Sequence, residues 1–261
     1  MFSKVDGRWG ITSFGLKVIG ILLMVVDHIH EMFYYVGIPT AFTMIGRVVA
    51  PIFLFLAAEG YYYTHSKFGY LRNLLVGFWI TSMMELVLQL YLPNPHIVLI
   101  NSIFGTLFLS LSLMWIVDGL SHPKQNTKMF MFALGALLIL IVASLGIFAL
   151  MSLNDMTLLR TYMIFVPSFL TVEGGLPFML LGVLFHWTRG NTKIQALVML
   201  LFGLSTLLYV HDGITWMTIF AAPFIYFYNG EQGKKSKWFF YVFYPTHIAI
   251  LYIAATLLFP K

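Results

Sequence analysis

Val25-Val26-Asp27-His28-Ile29-His30-Glu31 puts two acids and two histidines into a stretch that otherwise reads as one apolar helix. These residue types do proton chemistry. Histidine exchanges a proton near neutral pH, and a neighbouring carboxylate orients the ring and raises its basicity. At about 100° per residue, Lys17, Gly20, Met24, Asp27, His28 and Glu31 share one side of the helix, and His30 falls off it. Such a stripe must face protein, water or ligand rather than lipid. His28 at its centre reads either as a general base or as a hydrogen-bonded helix contact, and the acids around it favour the base.

Arg47 lies about six residues from the outer end of the second apolar stretch, and Asp27 about nine from the outer end of the first, so their depths match. An unpaired arginine there costs several kcal/mol, and pairing is the usual escape. The economical partner is the Asp27/Glu31 side, either as a plain ion pair or as part of a site. Pro51 frees a carbonyl one turn back, around Arg47, and kinks the helix there.

Other polar residues sit in apolar surroundings. Glu59 is either a ligand or an interfacial acid paired with Lys17, Lys67 or Arg72, and Glu85, well inside an apolar run, needs a partner. Asn101, Gly105 and Ser112 share a face, as ligand groups or as small residues for close packing, and Asp118 closes that helix at the cytoplasmic surface. Glu173-Gly174-Gly175 presents a carboxylate and bare backbone to a ligand, or is a kink. Tyr244-Pro245-Thr246-His247 sets a proline kink beside a buried histidine, as the wall of a polar cavity or as a core hydrogen bond. His211-Asp212 reads as a solvated outer turn.

The elements that must position these groups are membrane helices. The 261 residues are 60% hydrophobic and 10% charged, against about 25% charged for a soluble domain. Apolar runs predict nine spans at about 14–36, 41–64, 73–92, 97–119, 129–152, 161–187, 194–210, 214–229 and 238–259. Lys4 and Arg8, Lys67 and Arg72, Lys124 and Lys128, Arg189 and Lys193, and Lys234, Lys235 and Lys237 fall at alternate ends. That alternation predicts the N-terminus inside and the C-terminus outside, with Arg160 the exception before the C-terminal Lys261.

The expected fold is thus an all-α, polytopic integral membrane helix bundle forming one domain over residues 1–261, its sixth span broken or re-entrant at Thr171-Val172-Glu173-Gly174-Gly175 and Pro177. Lys4, Asp6 and Arg8 lead into the first span without a cleavage pattern, so that span is expected to stay. Cysteine is absent, which excludes disulfides, thiolate metal sites and a cysteine acyl carrier. There is no phosphate loop, His-x-x-x-His pair or nucleophile elbow; a metal site assembled across helices from His28, His247 and carboxylates is the disfavoured alternative, and no metal is expected. The net charge of +5 sits in the loops that topology requires, so no nucleic-acid partner is expected.

Asp27-His28, then Gly46-Arg47 through Pro51-Ile52-Phe53 with Glu59-Gly60, then Phe243-Tyr244-Pro245-Thr246-His247, stand in an order and spacing that resemble the TraX family, the conjugative F-pilin N-acetylases. The resemblance covers nearly the whole chain and extends more distantly to transmembrane acyltransferases that use acetyl-CoA. It implies a multi-pass acetyltransferase of the cytoplasmic (inner) membrane. Acetyl-CoA would come from the cytoplasmic side, and the acceptor would be a peptide amine, a glycan or a small molecule. By the same resemblance His28 is the catalytic histidine, Asp27 its partner, and Arg47 a positive charge near the reacting carbonyl or the donor. Glu59 and His247 match family positions without an assigned step. Two other classes fit the residues: a proton-coupled secondary transporter using Asp27, His28, Arg47 and Glu85, and a non-catalytic membrane subunit packed on pilus or envelope partners.

Overall fold

The computed structural model describes residues 1–5, 8–100, 102–121, 123, 126–210, 212–235 and 237–259. Asp6, Asn101, Lys124, His211 and Lys261 lie outside the described residues. A hairpin of β1 (Phe2–Val5) and β2 (Arg8–Ile11) precedes α1 (Ser13–Phe33). Then come α2 (Ala41–Gly46), α3 (Val49–Tyr63), α4 (Lys67–Tyr91), α5 (Ile103–Leu120) and α6 (Thr127–Ser152). The chain continues through α7 (Met156–Phe165), α8 (Gly175–Trp187), α9 (Thr192–Tyr209), a 3-10 helix (Thr215–Phe220), α10 (Ala221–Tyr226) and α11 (Lys237–Leu258).

Among the described residues, seven helical stretches are long and apolar enough to cross a membrane. On α6 the apolar residues Phe132, Leu138, Ile139 and Val142 are all exposed, a surface suited to lipid and costly in water. This is the build of a multi-pass membrane protein.

The helices fall into two compact units, the first made of Met1–Leu56, Met84–Ile100 and Trp187–Lys261. In it α1 packs against α2 and α11, and α9 packs against the 3-10 helix and α10. Small residues permit the close approaches: a Cβ on Gly203 would lie 2.9 Å from the backbone nitrogen of Ile219. The hairpin, which the apolar pattern did not predict, is held by the segment before α11. Ile11 N–H donates to the Phe227 carbonyl at 2.8 Å, and Asn229 N–H donates to the Ile11 carbonyl at 3.1 Å. The open N–H groups at the start of α1 are met by the Glu231 and Gln232 carbonyls and by the capping hydroxyl of Thr12.

The second unit comprises Ala57–Met83 and Asn101–His186. Here α5 packs on α6, and α6 on α7, where the Tyr162 hydroxyl donates to the Ala143 carbonyl. The sixth expected span, 161–187, is not one helix. α7 ends at Phe165, the chain turns through 166–174, and α8 starts at Gly175. Gly174 and Gly175 take φ of +69° and +53°, a region that side chains with a Cβ rarely enter. The backbone freed by the break is bonded within the protein: Thr106 Oγ1 donates to the Glu173 carbonyl at 2.9 Å, and Phe169 N–H donates to Ser144 Oγ at 3.3 Å. Irregular backbone at membrane depth is tolerated only under that condition.

Other boundaries also moved. The eighth expected span, 214–229, is a 3-10 turn followed by the short α10. The fourth starts at Ile103, because Ser102 caps the helix and Gln89 holds the Leu99 backbone through both its amide groups. The second is interrupted at Arg47-Val48, between α2 and α3.

Candidate active site

His28 on α1 meets His247 on α11, with His28 Nδ1 2.7 Å from His247 Nε2. The other nitrogen of His247, Nδ1, lies 2.9 Å from the Phe243 carbonyl one turn back on the same helix. The other nitrogen of His28, Nε2, is 3.6 Å from Glu31 Oε2 one turn onward on α1. That separation is too long for a hydrogen bond, and it places a carboxylate beside the outer edge of the ring. Aromatic rings brace the pair: Phe243 stacks on His247 at 4.9 Å, and Tyr244 meets both histidines edge-on. Tyr244 and His247 are buried, whereas Glu31 is exposed.

Asp27 was expected beside His28, but the structure turns it elsewhere. Its carboxylate accepts from the Thr43 hydroxyl on α2. Consecutive helical residues point about 100° apart, so the neighbour of His28 in sequence need not be its partner in space. Asp27 also presses against Gly46, where any Cβ would collide with the carboxylate. Arg47 was expected in contact with the acids of α1. It makes no ion pair with them among the described residues, and instead Arg47 Nη2 donates weakly to Thr43 Oγ1 at 3.4 Å. Thr43 thus stands between the two charges. Arg47 Nε is buried without a hydrogen-bond partner, so the guanidinium keeps donor capacity for an acceptor oxygen.

Asp212, in the turn before the 3-10 helix, was expected to be simply solvated. It accepts from Ile214 N–H at 3.1 Å, from Thr215 N–H at 2.9 Å and from the Thr215 hydroxyl. Slight burial works the other way, but these hydrogen bonds and the Arg47 charge hold the carboxyl below the ordinary range.

Glu85 is buried on α4 within electrostatic reach of Glu31. His30 makes no hydrogen bond among the described residues. Glu59, buried, and Glu173, half-buried, belong to the second unit, whereas the histidine pair belongs to the first. Asn101 lies outside the described residues.

Besides the contact of His28 with His247, two arrangements were not foreseen. Thr43 was one, although it stands one helical turn before Arg47, a spacing that could have suggested the contact. The other is in the second unit. Asp118 accepts from Tyr61 at 2.9 Å, Lys67 at 3.2 Å and His186 at 2.8 Å, and the Lys67 ammonium sits 4.3 Å over the Tyr61 ring. Lys67 therefore serves Asp118, a residue far from it in sequence, where no spacing signal exists.

The TraX protein family matches residues 14–255. The chain belongs to the TraX family. The match includes both members of the TraX chain's histidine pair, with Asp27, Thr43 and Arg47, and leaves the hairpin before residue 14 outside it. No curated protein shows significant similarity to this TraX chain, and no solved structure does either.

Proposed function

We propose that this TraX-family chain is an integral-membrane acyltransferase that moves an acetyl group from acetyl-CoA to a peptide amine, a glycan or a small-molecule acceptor. The observation that carries this reading is the His28–His247 pair, a half-buried base hydrogen-bonded to a buried histidine, with Glu31 near its open nitrogen. The under-bonded Arg47, held through Thr43 against the residue next to His28, supports it.

In the proposed reaction the acceptor N–H or O–H gives its proton to His28 Nε2 as the nucleophile attacks the thioester carbonyl. The new C–N or C–O bond pushes an electron pair onto the carbonyl oxygen, and the Arg47 guanidinium stabilises that charge. The oxyanion then collapses, the C–S bond breaks, and the leaving thiolate takes the proton back from His28. Between these steps the imidazolium faces the Glu31 carboxylate, 3.6 Å from His28 Nε2. A positioned base of this kind supplies roughly 10²–10⁴-fold in rate.

The finer topology is part of the same proposal. Nine crossings, with Gly175–Trp187 and Thr215–Tyr226 as the two short ones, put the N-terminus inside and the C-terminus outside the cytoplasmic membrane. Exposed Arg72, Lys234 and Lys235 then face the cytoplasm and attract the acidic donor.

The test is purified protein in detergent with acetyl-CoA, followed by calorimetry and by release of the CoA thiol. Saturable binding with slow thiol release is expected. Folded protein that binds nothing at millimolar donor overturns the reading. The succession Glu85, Glu31, His28 and His247 favours a proton-coupled transporter as the second reading. Gradient-driven uptake into proteoliposomes without thiol release would select it.

A further inference from the structure

A neutral imidazole carries its proton on either nitrogen, and only the bare nitrogen acts as a base. On an isolated His28 the choice would be open. The contacts around His247 remove that freedom, beginning from a group that cannot donate.

The Phe243 carbonyl only accepts, so His247 Nδ1 at 2.9 Å must carry the proton. His247 Nε2 is then bare, and His28 Nδ1 at 2.7 Å must donate to it. His28 Nε2 is left as the bare nitrogen, on the side where Glu31 lies. Phe243 stacked on His247, with the ring planes 13° apart, hinders the ring rotation that would undo this order. Asp27, engaged by Thr43, takes no part.

We propose that His247 is a positioning residue: its bare Nε2 holds His28 in the Nδ1–H tautomer, so that His28 Nε2 is the nitrogen that takes the acceptor's proton. The catalytic use of that nitrogen rests on the acyltransferase reading, whereas the tautomer itself does not. The pair takes up one proton rather than two, because a charged His28 still donates through Nδ1 and needs His247 Nε2 bare. His247 thereby does for His28 what a carboxylate does in other base-orienter pairs, without a second charge in the membrane.

The experiment uses full-length protein labelled with ¹⁵N-histidine in lipid nanodiscs at neutral pH, with His28→Ala to assign the signals. The expected spectrum has His28 Nδ1 protonated, His28 Nε2 bare, and a coupling across the N–H···N bond between the rings. In His247→Phe the coupling disappears and His28 becomes a mixture of tautomers. The same variant should lose roughly 10²-fold in kcat, with KM changed by less than about 3-fold. His247→Gln, whose amide oxygen accepts from Nδ1, should recover most of the lost kcat. A wild-type spectrum with the proton on His28 Nε2 overturns the proposal, as does a His247→Phe protein whose spectrum and kcat match wild type. Wild-type protein that shows the expected tautomer but neither binds nor consumes acetyl-CoA would retire the acyltransferase reading and leave the tautomer assignment standing.

Discussion

The Thr43 hydroxyl links Asp27 to Arg47: it donates to the carboxylate and accepts from the guanidinium at 3.4 Å. One neutral side chain therefore does the work expected of a direct ion pair between α1 and α2. Thr43→Val keeps the shape and removes the link, leaving a half-buried acid without its donor. The expected loss is about 1–3 kcal/mol, the cost of an unsatisfied polar group. Thermal unfolding in detergent measures it, and Thr43→Ser should stay near wild type.

Gly46 lets α2 approach α1 because any larger residue meets the Asp27 side chain. Gly46→Ala should cost about 1–3 kcal/mol, as overpacking does, and should also weaken the Asp27–Thr43 contact. Gly135 on α6 has nothing within 4 Å of its would-be Cβ. Gly135→Ala should be neutral or stabilising by up to about 1 kcal/mol, since alanine is the better helix former. Equal melting shifts for the two variants would contradict this account of the α1–α2 contact.

His28→Ala should abolish acetyl transfer and leave expression and membrane insertion near wild type. Arg47→Ala should lower kcat by roughly 10²–10³-fold, the usual loss for one oxyanion donor. Steady-state thiol release on both variants checks this. Survival of activity in His28→Ala would make the histidine structural.

Asp118 accepts from Tyr61, Lys67 and His186, so its removal strands three donors, whereas Tyr61→Phe removes only one of them. Asp118→Ala should therefore melt well below Tyr61→Phe. Each hydrogen bond to a charged partner carries about 1.5–3 kcal/mol. A Tyr61→Phe protein that melts as low as Asp118→Ala would put the stability in the tyrosine instead.

Asp212 titrates below its unfolded-chain value because its capping bonds outweigh its slight burial. A carboxyl depressed on folding stabilises the turn fully above the unfolded value, about 3.9 for aspartate, and that contribution fades as pH falls through the folded value. Hydrogen-exchange protection of residues 212–220 should thus be full at neutral pH and decline in acid. Asp212→Asn should flatten that dependence.

Much of the helical fold was legible because lipid imposes a simple rule: runs of about twenty apolar residues mark helices, and α1, α4, α6, α9 and α11 follow it. The hairpin was not legible, since its support comes from the Phe227 and Asn229 backbone, far along the chain. The broken region at 166–174 was visible through Glu173-Gly174-Gly175 and Pro177, but the Thr106 and Ser144 side chains that make the break tolerable were not.

For the candidate site, residue type and hydropathy suffice to mark the groups out of place in hydrocarbon, Asp27, His28, Glu31, Arg47, Glu85 and His247, because bare polar groups there are costly. Which groups they meet depends on how the helices pack. His28 is adjacent in the chain to Asp27, yet its ring bonds to His247, because helix packing brings α11 to that face of α1 and α2 to the face of Asp27. Helical periodicity fixes the direction of a side chain on its own helix, and the neighbour that meets it is set by contacts between residues far apart in sequence.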